Sequence, residues 1–367
     1  MVVYIHQLKD WPHFSWDDEK LLELLAGVRH RQGKLMGNMQ GLGFDLQNEA
    51  MLQTLTLDVL KSSEIEGEIL NADQVQSSIA RRLGMDIGGL VSSDRHVDGV
   101  VEMMLDATQN FKDVLTEDRM FGWHAALFPM GRSGMHKIIV GAWRDNAKDH
   151  PMQVVSGHLG RNVHYQAPDA DLLPDQMTGF LKWFNEEQSI DPVIKAALAH
   201  LWFLTIHPFD DGNGRIARTI ADMQLARSDD SKQRFYSMSA QIRKERNAYY
   251  DILEKAQKDT LDITDWLEWF LNCLNRALLA TDETLTVVLQ KARFWEKHAG
   301  KTFNDRQKMM LIKLLDSFEG KLTSSKWAKI AKCSSDTAIR DINDLVKKEI
   351  LTKEDGGGRS TSYLLKQ

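Results

Sequence analysis

Apolar positions recur at helical spacing along most of this chain. Leu21, Leu22, Leu24, Leu25, Val28 and Leu35 predict a helix over 17–40, and Leu52, Leu55, Val59 and Leu60 a second over 48–61. Further helices are expected at 71–83, 97–115 and 118–128. The period then breaks. Residues 141–168 read as a loop leading into a hairpin, with β-branched runs at 153–156 and 162–165 around a glycine-bounded turn at 157–160. Helical spacing returns at 174–185, 191–206, 214–227, 243–257 and 263–285. The last stretch predicts helices at 306–318, 324–331 and 335–349, with Ser334 or Ser335 as N-cap. Strands at 350–352 and 362–365 would flank a glycine turn, Asp355 to Gly358. Three helices with such a β wing resemble a winged helix-turn-helix. The fold class expected is mainly α: a helical core bearing a hairpin flap, an N-terminal helical segment and a C-terminal winged unit.

Composition narrows the function classes. The net charge of −6 gives the whole chain no electrostatic attraction for nucleic acid or an anionic membrane. Two distant cysteines, Cys273 and Cys333, lack metal-ligand spacing and suit free thiols in a reducing compartment. No apolar run is long enough to span a bilayer and no secretory pattern opens the chain, so a cytoplasmic location is expected, without membrane attachment.

The chemistry concentrates at 207–218, His-Pro-Phe-Asp-Asp-Gly-Asn-Gly-Arg-Ile-Ala-Arg. Pro208 stops the preceding helix, and His207, lying before proline, is expected to be extended. Gly212, Asn213 and Gly214 open a new helix whose free amides and dipole form an anion site. Arg215 and Arg218, three residues apart, share a helical face and can reach one polyphosphate. Asp211 beside them could hold a magnesium ion shared with phosphate oxygens. His207 could accept the proton of an attacking hydroxyl. The competing reading is a plain helix-loop-helix with a capping histidine and solvated arginines.

At every fixed position this string resembles the Fic motif, His-Pro-Phe-x-Asp/Glu-Gly-Asn-Gly-Arg-x-x-Arg. The resemblance implies transfer of AMP from ATP to a Ser, Thr or Tyr hydroxyl. It also implies roles: His207 as general base, Phe209 as buried anchor and Asp211 as Mg2+ ligand. Gly212 to Gly214 would cradle phosphate, Arg215 would contact the α/β region and Arg218 the γ-phosphate. Upstream, Ser62, Glu66 and Gly67 resemble the family's inhibitory signature, Ser/Thr-x-x-x-Glu-Gly/Asn, which implies an ion pair of Glu66 with Arg218. Glu64 and Glu68 alongside leave a solvated acidic turn as the alternative.

The hairpin, within 152–168, resembles the family's flap. It implies a target protein clamped by strand addition, with Val154, Val155, Ser156 and Gly157 nearest the nucleotide. Tyr249 and Tyr250 resemble an aromatic pair near adenine, and Gln257 would add a polar contact; core packing is the alternative. Trp143 and Arg144 resemble a family stretch of structural role. The remaining histidines lack metal-ligand spacing, and there is no Gly-x-x-x-x-Gly-Lys-Ser/Thr loop.

The expected organisation is an N-terminal helical segment at 1–95, a catalytic core at 96–285, a linker at 286–303 and a winged-helix-like unit at 304–367. From Lys321 onward ten basic residues face six acidic ones, yet the reading helix carries Asp336, Asp341, Asp344 and Glu349. DNA binding is therefore weakly supported, and the unit could serve homodimerisation instead. The expected activity is a self-inhibited adenylyltransferase acting with Mg-ATP on a target protein or on itself. Removal of AMP, transfer of another nucleotide, and a DNA-binding regulator with a silent core stay open.

Overall fold

The computed structural model describes residues 3–41, 43–85, 87, 89–156, 162–315, 318, 320–354 and 361–366. It divides into two compact units, Met1–Gly84 with Ser92–Asp282, and Met85–Val91 with Glu283–Gln367. None of the helices described is long and apolar enough to cross a membrane.

In the first unit, α1 (Asp18–Gln40), α2 (Phe44–Ile65), α3 (Ala72–Arg82), α4 (Arg95–Gln109) and α5 (Glu117–Leu127) precede two short hairpins. The hairpins are β1 (Arg132–Ser133) with β2 (His136–Lys137), and β3 (Gln153–Ser156) with β4 (Asn162–Gln166). Then come α6 (Leu173–Glu186), α7 (Pro192–Ile206), α8 (Asn213–Asp229), α9 (Met238–Lys244), α10 (Arg246–Ala256) and α11 (Thr264–Lys297), whose residues beyond Asp282 belong to the second unit. Asp17, Asn71, Asp94, Thr116, Asp191 and Ser237 cap their helices by accepting a backbone N–H in the first turn.

The centre is α7 against α8. Every residue of α7 from Val193 to Ile206 is buried, which follows from an apolar sequence on all of its faces. Its Trp202 and Phe203 pack on Phe180 of α6, which stacks on Phe184. At Gly99 a Cβ would overlap the Ala126 carbonyl, so α4 and α5 approach through a glycine.

The second unit holds α12 (Asp305–Leu315), β5 (Leu322–Thr323), α13 (Ser324–Ile330), α14 (Ser335–Lys347), β6 (Leu351–Lys353) and β7 (Ser362–Leu365). The three strands form an antiparallel sheet in the order β5-β7-β6. Trp327, Ile342, Leu345, Leu311 and Leu351 make its core. Ser334 is the N-cap of α14. The glycine turn at 356–358 lies outside the described residues.

Several expectations needed correction. The helix expected to reach 115 stops at Gln109, where Asn110 turns to bond Asp106. Leu115 is instead held by both its N–H and carbonyl on the Asn185 amide. The single helix expected at 243–257 is divided at Glu245, whose carboxylate takes Arg276. The linker expected at 286–303 is helical through Lys297, because α11 continues without a break. Strand β5 and the β1–β2 hairpin were too short to leave a periodic signature.

Candidate active site

His207 ends α7 in a left-handed conformation, φ 52 and ψ 57, rather than the extended one its proline neighbour predicted. The bend survives because Arg144 holds it. Its backbone N–H donates to the Pro208 carbonyl at 3.0 Å, its Nε to the His207 carbonyl at 2.8 Å, and its Nη2 to the Pro168 carbonyl at 2.7 Å. One buried guanidinium thus ties the bend to the end of the flap.

The His207 ring is half-buried, with Nδ1 3.3 Å from the Leu204 carbonyl. A carbonyl only accepts, so Nδ1 carries the proton and Nε2 keeps its lone pair. Burial, and secondarily the Arg144 charge, push the ring's pKa down to about 4. His207 is therefore a neutral imidazole with its basic nitrogen free of that bond.

Phe209 is fully buried and stacks on His124 at 4.2 Å. The buried Asn213 amide accepts the Phe209 N–H at 3.0 Å and donates to the Phe209 carbonyl at 2.7 Å, closing the loop on itself. Gly212 has φ +82, and a Cβ there would lie 2.9 Å from the Phe128 ring; only glycine fits. From Asn213 onward α8 presents the first-turn amides of a 17-residue helix.

Asp211 accepts the Gly212 N–H and pairs with the Ser133 hydroxyl. Among the described residues no three His, Cys, Asp or Glu gather into a metal cluster. A single carboxylate beside an amide nest still fits Mg2+, which typically takes one or two protein carboxylates and completes its shell with phosphate and water.

Over this nest sits the C-terminal turn of α2. Arg218, its side chain 1% exposed, lies 2.8 Å from Glu66 Oε1. It also donates to the Ser62 hydroxyl at 3.0 Å and the Ser62 carbonyl at 2.9 Å. Gly67, at φ +85, reverses the chain. The turn is clamped from the other side: Arg246 Nε donates to the Ile65 carbonyl at 2.7 Å, and Arg243 pairs with Glu64 at 3.4 Å. Cations at a helix C-terminus complement its dipole. Arg215 takes Glu68 at 2.8 Å and lies 5.0 Å over the Phe128 ring.

The remaining expected residues divide. Tyr250 stands beside the turn, its hydroxyl 3.4 Å from the Ile65 carbonyl and its ring under Arg246. Tyr249 is buried, with its hydroxyl on His200 Nε2 at 2.9 Å. Gln257 is buried on Thr205, and its carbonyl accepts the Ile5 N–H. Gln257 is thus engaged in the fold, and the buried Tyr249 lies against the Arg218 guanidinium as well as His200. Val154 and Val155 are exposed on β3, and Ser156 bonds His164, which in turn bonds Glu254 at 2.6 Å. Gly157 lies outside the described residues.

Sequence reasoning missed His124, Ser133, His96 and the pairing of Glu68. Their partners lie 28 to 147 positions away, and no local spacing announces them.

Comparison with known proteins finds relatives for much of this chain. The sequence profile of the Fic/DOC family matches residues 114–225, and that of a domain of unknown function, DUF4172, matches residues 4–85. The chain therefore carries a Fic/DOC family domain. A protein adenylyltransferase Fic of Culex quinquefasciatus is 36% identical over 237 residues, covering 63% of this chain and 42% of that protein. Its counterpart in Drosophila yakuba is 26% identical over 231 residues, covering 60% and 40%. The chain thus spans about two fifths of the length of these relatives. A Fic family protein from Desulfovibrio desulfuricans G20 shares the fold with a TM-score of 0.53 at 21% identity, over 95% of this chain and 96% of that one. A Fic domain containing signaling protein from Bacteroides thetaiotaomicron VPI-5482 gives 0.51, also at 21%, over 73% and 97%.

Proposed function

We propose that this protein is a self-inhibited protein adenylyltransferase. It transfers AMP from ATP to a Ser, Thr or Tyr hydroxyl of a target protein, or of itself, and releases pyrophosphate. The observation that carries the reading is the Glu66–Arg218 ion pair lying over the same amide nest that His207 borders.

In this reading a target segment pairs with the flap edge where Val154 and Val155 are exposed. His207 Nε2 takes the hydroxyl proton as oxygen bonds to the α-phosphorus and the α–β bridging bond breaks. The α8 amides, Arg215 and Arg218 neutralise the departing pyrophosphate. Asp211 would hold Mg2+, which supplies phosphate charge neutralisation when bound. Glu66 silences the reaction by occupying Arg218, so a triphosphate lacks a γ-phosphate partner and sits out of line.

The test is incubation of wild type, Glu66→Gly and Glu66→Gly/His207→Ala with ATP labelled at the α or the γ position. Glu66→Gly should incorporate only the α label, well above wild type, and the double variant should lose that gain. Incorporation of the γ label, or no gain over wild type, would overturn the reading. Parallel CTP, GTP and UTP arms identify the donor.

A further inference from the structure

Glu66 is not the only carboxylate over the phosphate-binding helix. We propose that Glu68 is a second latch, holding Arg215 as Glu66 holds Arg218, with His96 of α4 bracing it. The inference rests on reading 212–218 as a nucleotide site and specifies how that site is kept closed.

Glu66 and Glu68 flank Gly67, whose positive φ turns the chain so that both side chains reach α8. Arg215 and Arg218 share one face, so consecutive latches meet consecutive arginines. The Arg215 side chain is only 7% exposed and that of Glu68 is 34% exposed. Arg215 Nε is buried and has no acceptor among the described residues. A buried donor without a partner is costly and suits a site that receives an anion.

His96 supplies the brace. Its Nε2 lies 2.5 Å from Glu68 Oε1, leaving Oε2 for Arg215. The close Glu68 carboxylate raises the His96 pKa against burial and the nearby Arg215 charge. The same contact, ahead of Arg215, holds the Glu68 carboxyl below its usual range.

The carboxylate is also positioned to leave. A cleft of about 470 Å3, lined by Glu68, Asn71, Asp94, Arg95, His96 and Met130, opens on its outer side. Glu68 can swing toward water there, whereas Arg215 stays sandwiched against Phe128. Removing Glu66 therefore frees one arginine only, and polyphosphate must still displace Glu68.

The experiment measures Mg-ATP binding calorimetrically on the full chain, with α-label transfer in parallel. Three variants are compared: Glu66→Gly alone, with Glu68→Gln, and with Glu64→Gln. Glu64 pairs with Lys61 and Arg243, not with α8, so its neutralisation controls for the change of charge and for any loosening of the turn. Glu68→Gln should tighten ATP roughly tenfold, the scale of one lost charge-assisted competitor. Glu64→Gln should change it less than about twofold. His96→Gln in the Glu66→Gly background should give a smaller tightening, and it carries the test should Glu68→Gln not fold. Equal effects of Glu64→Gln and Glu68→Gln, or weaker binding in either latch variant, would overturn the proposal. If Glu66→Gly incorporates no α label, the transfer reading fails. If it labels while Glu68→Gln leaves affinity unchanged, only the second latch fails.

Discussion

Glu66 and Gly214 are so closely opposed that a Cβ on residue 214 would overlap the Glu66 carboxylate. The glycine does not serve an unusual backbone conformation, since it lies inside α8 without positive φ. It serves close approach. The same open face that admits Glu66 is the one a phosphate would need. On the proposed function, Glu66 and the nucleotide compete for one glycine as well as for one arginine.

Gly214→Ala separates those two roles. Its methyl overlaps the far end of the flexible Glu66 side chain and lies 3.3 Å from Arg218 Nη1, and alanine is favoured over glycine in a helix by about 1 kcal/mol. The gain in helix propensity should offset only part of the cost of unpairing the buried Arg218 guanidinium, so stability should fall modestly while Glu66 moves off Arg218. If nucleotide transfer also needs the bare glycine, Gly214→Ala should stay inactive although Glu66→Gly is active. A crystal structure and α-label incorporation check both halves; an active Gly214→Ala would show that phosphate does not approach there.

The pH dependence of transfer follows from His207. Its pKa, held near 4 by burial and Arg144, leaves the ring in its basic form throughout neutral pH. The kcat/KM of Glu66→Gly should thus be flat on its acidic side from pH 8 to about 6 and fall only as pH approaches 4. A limb with a midpoint near 6.5 would mean an exposed, ordinary histidine and would contradict the site's geometry.

Much of this site was legible beforehand because its parts are local. The dozen residues at 207–218 carry base, carboxylate, nest and arginines in one string, and Ser62 with Glu66 are spaced for one helical face. What was not legible is what depends on the fold around the string. Proline chemistry predicted an extended His207, but two hydrogen bonds from Arg144, to the His207 and Pro208 carbonyls, hold a left-handed bend. Gln257 sits two turns beyond Tyr250 and looked like a ligand contact, and its buried side-chain amide reaches Thr205 of α7. Glu68 looked like surface charge because nothing nearby in sequence marks Arg215 or His96 as its partners. Local patterns report period and spacing; they do not report which distant group arrives to pair.

A second titration should be visible in stability. His200 is buried on α7 with Nε2 on the Tyr249 hydroxyl, and burial, then the Arg218 charge, push its pKa to about 3. The unfolded chain binds that proton below its ordinary 6.5, whereas the folded chain does not until about 3. Unfolding therefore takes up a proton across this window, and stability falls as pH falls. Between pH 6.5 and 5 wild type should lose about 1.6 kcal/mol more than His200→Phe, the linkage of 1.36 kcal/mol per unit applying in full only below 6.5. Urea unfolding at the two pH values measures it, and parallel losses would place His200 in contact with water.

Asn213 provides the sharpest test of how the loop is built. Its amide reads the Phe209 backbone in both directions, donating at 2.7 Å to the carbonyl and accepting the N–H at 3.0 Å. Asn213→Asp preserves shape and the accepting oxygen but sets a lone pair against the Phe209 carbonyl inside a buried loop. Losing the bond and leaving that carbonyl unsatisfied should cost about 1–3 kcal/mol, more if the carboxylate stays ionised. Because the loop carries His207 at one end and the nest at the other, transfer by the Glu66→Gly background should fall further than stability does. Denaturant unfolding and α-label transfer on the same preparation give the two numbers. A variant that loses stability but keeps its rate would mean that His207 and the nest are positioned by α7 and α8 alone, with the Phe209 loop as mere packing.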